Sequence, residues 1–226
     1  MAKRATILCL AVLAAGAVLD GSFSHPLDFS GDVTMVSGYI WRGIRQSDGA
    51  EFQGTVIGAC KSLSFGIWYS GVGPSLETDP YVELALPTGA LATSIGAAVY
   101  SYDFKTFNAG ADYEYELYAR LGFGAFGLAG FYIPSQGSTE KEPNDSPYWL
   151  EVSANKTFLD TEFGLTCGYG TYSSRWLSEP KKEAVGNLVL TTSRIIMENI
   201  SVSYNYSIGL DSDMDDILFV TAGVSF

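Results

Sequence analysis

The sequence predicts an all-β fold, a transmembrane antiparallel up-and-down β-barrel of about twelve strands. Three observations lead there. Apolar and polar residues alternate with period two along most of the chain, which gives each strand one oily and one polar side. The connections between alternating segments are short and long by turns. Beyond the N-terminus no run of about 18 apolar residues occurs, so no helix is predicted to cross a bilayer, whereas many alternating segments approach the ~9–11 residues a tilted strand needs.

The first element is an address. Lys3 and Arg4 precede the uncharged stretch Ala5 to Leu19, and Ala15-Gly16-Ala17 is a small-x-small site. This predicts an export signal cleaved near Ala17, with the segment to about residue 24 ahead of a single barrel domain over 25–226. Cys9 lies inside the apolar run rather than at its end, which argues against a lipid-anchored N-terminus. Loss of Lys3 and Arg4 takes the net charge from -12 to -14. An acidic chain with one His and no basic run excludes nucleic acid as a partner. Three Cys are too few for a disulfide framework or a zinc site, no cofactor is implied, and Cys60 and Cys167 are predicted to be free.

The strands follow in order at 29–41, 51–60, 63–72, 80–86, 91–102, 111–121, 125–133, 148–157, 161–172, 185–193, 195–207 and 217–226. The sixth is the clearest. Tyr113, Tyr115, Leu117, Ala119 and Leu121 share one parity, and Asp112, Glu114, Glu116, Tyr118 and Arg120 the other. The ninth opposes Phe163, Leu165, Cys167 and Tyr169 to Glu162, Gly164, Thr166 and Gly168. The eleventh opposes Ile200, Val202, Tyr204 and Tyr206 to Asn199, Ser201, Ser203 and Asn205. Even strands end in short turns: Lys61-Ser62, Pro87 to Ala90, Gly122 to Gly124, Phe158 to Asp160, and Arg194. Odd strands end in longer connections: Arg42 to Ala50, Gly73 to Asp79, Asp103 to Gly110, Pro134 to Pro147, Ser173 to Ala184, and Ile208 to Asp216. That inequality is the pattern of an outer-membrane barrel.

A secreted β-sandwich alternates too, and the aromatics near strand ends and the last strand separate the two, while charge placement meets the demand a barrel makes. A Lys or Arg on a lipid-facing side costs roughly 2–4 kcal/mol at the midplane. Glu51, Glu83, Asp112, Glu114, Glu116, Arg120, Glu151 and Glu162 all fall on the polar parity. Lys156 and Glu198 fall on the oily parity, near the short turns, where a long side chain reaches the interface. Tyr39, Trp41, Tyr69, Tyr132, Tyr148, Tyr169 and Tyr206 gather near strand ends, as interfacial girdles do. The last strand carries Leu218, Val220, Ala222 and Val224 on the face that Phe226 terminates. An alternating strand closed by an aromatic resembles the signal read by the barrel-assembly machinery.

Where the first strand meets the first long connection the chain reads Val36-Ser37-Gly38-Tyr39-Ile40-Trp41-Arg42-Gly43-Ile44-Arg45-Gln46-Ser47-Asp48-Gly49, then Gln53-Gly54. Ser37, Tyr39, Arg42, Gly43, Ser47, Asp48, Gln53 and Gly54 resemble the N-terminal hallmark of the TorF-type porin family, bacterial proteins of unknown function. The match covers about twenty residues, and an Asp is common in that family where Gly38 stands. The resemblance implies an outer-membrane barrel without an established substrate. On the residues themselves, Gly43 and Gly49 permit turn conformations, and Ser47 and Asp48 can bond the local backbone. Arg42 is expected to bridge Asp48, Glu51 or another interior acid. The stretch reads as a hairpin-folding motif ahead of a solute contact.

An interior lined by the polar parity carries Asp32, Glu51, Glu83, Asp112, Glu114, Glu116, Glu151 and Glu162 against Arg42 and Arg120. Acidic rings select cations, which points to a passive pore for small cationic or neutral solutes. Twelve strands lie between the eight whose interior side chains fill and the sixteen that leave a water channel. Inward Trp68, Tyr100, Tyr118, Trp149 and Tyr172 are therefore expected to narrow or close the tube. Catalysis finds little support, since the single His, His25, lies ahead of the first strand and no Ser or acid has an imidazole partner. The remaining class is a structural or adhesive barrel. It draws on the acidic loops Glu140 to Asp145 and Asp211 to Asp216, where Asp211, Asp213 and Asp215 are weak calcium ligands lacking the Gly and distal Glu of a helix-loop-helix site. The expected partners are membrane lipid, lipopolysaccharide bridged by divalent cations, the assembly machinery and small solutes.

Overall fold

The computed structural model describes residues 26–72, 75–101, 113–134, 146–172, 185–210, 214 and 216–226. The strands are Asp28–Val36 (β1), Ile40–Trp41 (β2), Ile44–Arg45 (β3), Glu51–Cys60 (β4), Leu63–Val72 (β5), Ser75–Leu86 (β6), Ala92–Ser101 (β7), Tyr113–Phe123 (β8), Phe126–Tyr132 (β9), Tyr148–Phe158 (β10), Thr161–Gly170 (β11), Val185–Met197 (β12), Ile200–Gly209 (β13) and Ile217–Ser225 (β14). β1 and β4 to β14 pair antiparallel in chain order and close into a twelve-stranded barrel. β2 and β3 form a separate small sheet. The signal segment and His25 lie outside the described residues.

Closure follows from the medium. Hydrocarbon offers no partner to a bare strand edge, so every ladder must find a neighbour. The seam runs from Asp32↔Ser225 to Val36↔Thr221, and beyond it the Phe226 and Gly31 backbones exchange hydrogen bonds of 2.9 and 3.0 Å. The Phe226 ring lies over Gly31, in space that a Cβ there would need. The first and last barrel strands both reach the short-turn rim: Asp28 pairs with Ala59, and the Ser225 amide reaches the Asn199 carbonyl.

Side-chain parity then divides oil from water. In β10, Tyr148, Leu150 and Val152 point out and are exposed, while Trp149, Glu151 and Ser153 point in. The outer surface is an apolar band including Met35, Val56, Ile67, Leu117, Leu128, Leu165, Leu190 and Leu218. Tyr132, Tyr148, Tyr169 and Tyr206 ring its long-loop end, and Phe123, Phe126, Phe158 and Phe226 its short-turn end. Cys60 and Cys167 are both free thiols on this outer parity.

Three features depart from the sequence reading. The first strand ends at Val36 instead of running to 41, because residues 37–50 leave the wall and fold inward; Tyr39 and Trp41 thus belong to the interior and not to a girdle. β6 begins at Ser75, so the connection before it is Gly73-Pro74 instead of Gly73 to Asp79. Pro80 is accommodated because it precedes the first β7 partner, Tyr81↔Ala98, on a stretch of β6 that is an edge on that side. β12 runs through Arg194 to Met197, with a bulge between Ile195 and Met197, because the apolar run Ile195-Ile196-Met197 extends the strand. The turn is therefore at Glu198-Asn199, which takes Glu198 off the oily face and puts Arg194 on the outer parity near the rim. Lys156 stays on the outer parity, opposite Phe163 and two residues from the end of β10.

Val152 sits near mid-strand on the lipid face. Val152→Arg is expected to lower folding stability by about 2–4 kcal/mol in equilibrium unfolding from lipid vesicles. Thr166→Arg, on the inner parity of β11, is expected to cost much less in the same measurement.

Candidate functional site

The first long connection turns into the lumen. Ser37 holds its base at the seam, donating its amide to the Val220 carbonyl at 2.9 Å and accepting the Val220 amide on its hydroxyl at 3.0 Å. Arg42 (φ +50°) and Gly43 (φ +83°) form the left-handed tip of the β2–β3 hairpin. A Cβ on Gly43 would run into Met214 and Asn187. The Ser47 hydroxyl receives the Tyr39 amide at 3.2 Å and donates to the Gly49 carbonyl at 3.3 Å, clamping the hairpin neck. Asp48 pairs with Arg45 at 3.2 Å, not with Arg42. Gln53 donates to the Ser70 hydroxyl, and Gly54 leaves room for the Tyr69 ring. Gly49 adopts no positive φ and faces open space, contrary to the turn role its residue type suggests.

The hairpin delivers a charge to the interior. Arg42 Nη2 donates to Glu116 Oε2 at 2.7 Å, with the two side chains only 8% and 3% exposed. The Tyr100 hydroxyl donates to the other Glu116 oxygen at 2.7 Å, and the Tyr172 hydroxyl donates to the Arg42 carbonyl. The guanidinium carbon lies 4.4 Å from the Trp41 ring centre and 4.5 Å from that of Phe131. Arg42 thus bridges an interior acid, as its type predicts, but reaches it from a folded-in loop and not from strand one. Losing one partner of so buried a pair costs about 3–5 kcal/mol, because the other is left charged without compensation.

Four more inward acids meet a donor. Glu51 accepts from Ser70 at 3.1 Å, Glu151 from the Trp149 indole at 3.0 Å, and Asp32 from Thr34 at 3.4 Å. Glu83 pairs with Arg120, whose guanidinium lies over the Tyr118 ring at 4.4 Å. Arg120 therefore serves Glu83 and leaves Glu116 to Arg42. Glu114 is buried beside them on the same parity, and Glu162 faces inward near the short-turn rim, where it is exposed. Asp112, the 140–145 loop and Asp211, Asp213 and Asp215 lie outside the described residues. Among the described residues no cluster of His, Cys, Asp and Glu is arranged to hold a metal.

Two acids escape the sequence reading. Glu77 and Asp79 are buried in the lumen, Glu77 bonded by the Tyr39 hydroxyl and Asp79 accepting the Ser101 amide at 3.2 Å. Ser75 to Pro80 is rich in turn-forming types, which hides a strand. The signal that finds it is parity, since Leu76, Thr78, Pro80 and Val82 oppose Glu77, Asp79, Tyr81 and Glu83.

The five expected aromatics all point inward. The Tyr118 ring covers Gly96 on the facing strand, and Tyr81 covers Gly66, so a missing side chain makes room for each ring. Trp149 and Tyr172 stack at 5.5 Å and, with Val185, gather Trp41, Ile44, Phe131 and Met214 into an apolar cluster. This packs the long-loop half of the lumen. The short-turn half is wetter, with the inward Arg120 side chain 49% exposed. Between them lies a cavity of about 710 Å³, bounded by Tyr39, Arg42, Asp79 and Glu116 at one end and Ser64, Glu83 and Arg120 at the other.

Neither a family model nor a curated protein matches the chain. Solved structures do. A membrane protein from a study of in-meso crystallization is 8% identical over 88% of this chain and 83% of its own, with a TM-score of 0.61. The NanC porin is 10% identical over 88% and 98%, with a TM-score of 0.55. An outer membrane channel of Pseudomonas putida F1 is 13% identical over 92% and 100%, with a TM-score of 0.51. The chain has the fold of an outer-membrane β-barrel.

The two glycines of the first connection separate conformation from composition. Gly43→Ala is expected to destabilise the hairpin by about 1 kcal/mol or more, through its positive φ and the crowding against Met214. Gly49→Ala, in open space, is expected to leave the thermal midpoint unchanged. Calorimetry of the two variants side by side checks this.

Proposed function

We propose that this barrel is a TorF-type porin of the bacterial outer membrane, passing small cationic or neutral solutes through an acidic lumen. The observation that carries the reading is the inward charge. Asp32, Glu51, Glu83, Glu114, Glu116, Glu151 and Glu162 face Arg42 and Arg120. Carboxylates held between low-dielectric walls raise the local concentration of cations and repel anions. Two of the fold neighbours are named a porin and an outer membrane channel, which supports a transport role. In this reading the signal is removed near Ala17, the assembly machinery reads the strand ending at Phe226, the acidic loops meet lipopolysaccharide, and no residue is catalytic.

A second reading, a non-conducting structural or adhesive barrel, is favoured by the packed long-loop half of the lumen, where the hairpin tip meets the Trp149–Tyr172 stack. Liposome swelling with sized neutral solutes separates the two, since only an open barrel gives a rate that falls with solute size.

In planar bilayers under a potassium chloride gradient, the reversal potential is expected to show a cation preference. Glu151→Gln, which removes a carboxylate lining the cavity, is expected to reduce that preference. Anion selectivity of the unmodified protein would remove the acidic-lumen proposal.

A further inference from the structure

Glu116 is the centre of a clamp that already holds a guanidinium. One of its oxygens takes the Arg42 Nη2 and the other the Tyr100 hydroxyl, each at 2.7 Å. The rings of Trp41 and Phe131 lie within 4.5 Å of the guanidinium carbon. A carboxylate for the charge and rings for the faces make a recognition set for a flat cation. A compact ammonium, which is strongly hydrated and has no plane, fits it less well.

The group that fills the clamp belongs to a hairpin outside the barrel ladders. Trp41 travels with that hairpin. Glu116, Tyr100 and Phe131 belong to the wall and stay. Asp79, from β6, adds a second buried carboxylate at the same end of the cavity. A volume of about 710 Å³ adjoins this wall, enough for a small organic solute.

We propose that the wall half of this clamp, Glu116, Tyr100 and Phe131 with Asp79 beside it, is a binding site for solutes bearing a guanidinium or amidinium group, and that Arg42 is its tethered competitor. A docked hairpin and a bound solute exclude one another, so solute binding undocks the plug. By linkage, anything that frees the hairpin tightens the solute by the same factor. The inference rests on the porin reading only in taking the cavity as reachable by solute.

The test is binding of methylguanidine to the full-length protein in detergent micelles, at constant ionic strength, by calorimetry and intrinsic tryptophan fluorescence, with methylammonium as the control cation. Arg42→Gln is expected to tighten methylguanidine at least tenfold and to change methylammonium little. Glu116→Gln is expected to abolish methylguanidine binding. Equal affinity in R42Q and the unmodified protein, or unimpaired binding in E116Q, overturns the proposal. Should R42Q fail to fold, Tyr172→Phe decides, because it removes only the hydroxyl that holds the Arg42 carbonyl. It is expected to tighten methylguanidine several-fold, and no change overturns the proposal. Binding in micelles needs no conduction. A barrel that binds as expected but passes no solute therefore defeats the porin reading alone, and one that conducts without the R42Q gain defeats this inference alone.

Discussion

A backbone amide facing hydrocarbon has only the next strand to bond, and the rest of this molecule depends on that constraint. It forces the wall to close on itself, β1 against β14, and it turns one parity of every strand outward. Leu150 and Val152 are exposed for the same reason that Glu151 is not. Hydrophobic burial, which in a water-soluble protein would collect such residues into a core, here works against lipid, so the ladder and not the core holds the shape.

Inverting the usual arrangement concentrates polarity along the axis. Most of the acids that would repel one another across a narrow tube are given a donor, and the donors come from many places: a hydroxyl on β5, an indole on β10, an amide on β7, a guanidinium from a loop. The most costly of these arrangements is the Arg42–Glu116 pair, both members removed from water. It is made tolerable by the company it keeps, the Tyr100 hydroxyl on the carboxylate and two aromatic rings against the cation. The same contacts fix the hairpin across the lumen, so charge neutralisation and obstruction are one structural event.

The wall was legible in the sequence because period two is a local property. Tyr113 to Leu121 can only be a strand with one oily side, and the unequal connections orient it. The inward aromatics and most of the inward acids follow from parity alone. What parity does not carry is where a chain leaves the wall. Tyr39 and Trp41 have the alternation of a continuing strand and the residue types of a girdle, yet they fold inside, because their partners Glu77 and Tyr100 lie on other strands. Ser75 to Pro80 fails in the opposite sense. Its turn-like residues conceal two acids that pairing with β5 draws into the barrel. The bulge in β12 likewise moves a turn by four residues, through a register set by β13 and invisible in β12 itself. The stretch around Arg42 and Gly43 is local in the sequence, while the side chains that hold it inside the barrel are distant.

That distance orders events in time. Arg42 lies 74 residues ahead of Glu116 and 130 ahead of Tyr172, the two side chains that tie it down. Contacts so remote in the chain carry a large entropic cost until the intervening strands are placed. The hairpin is thus among the first parts to be made and among the last to find its place, drawn into a cylinder that must already exist. The surface that receives the hairpin exists only once the strands around Glu116 and Tyr172 are in place, so the wall is the precondition of its own obstruction.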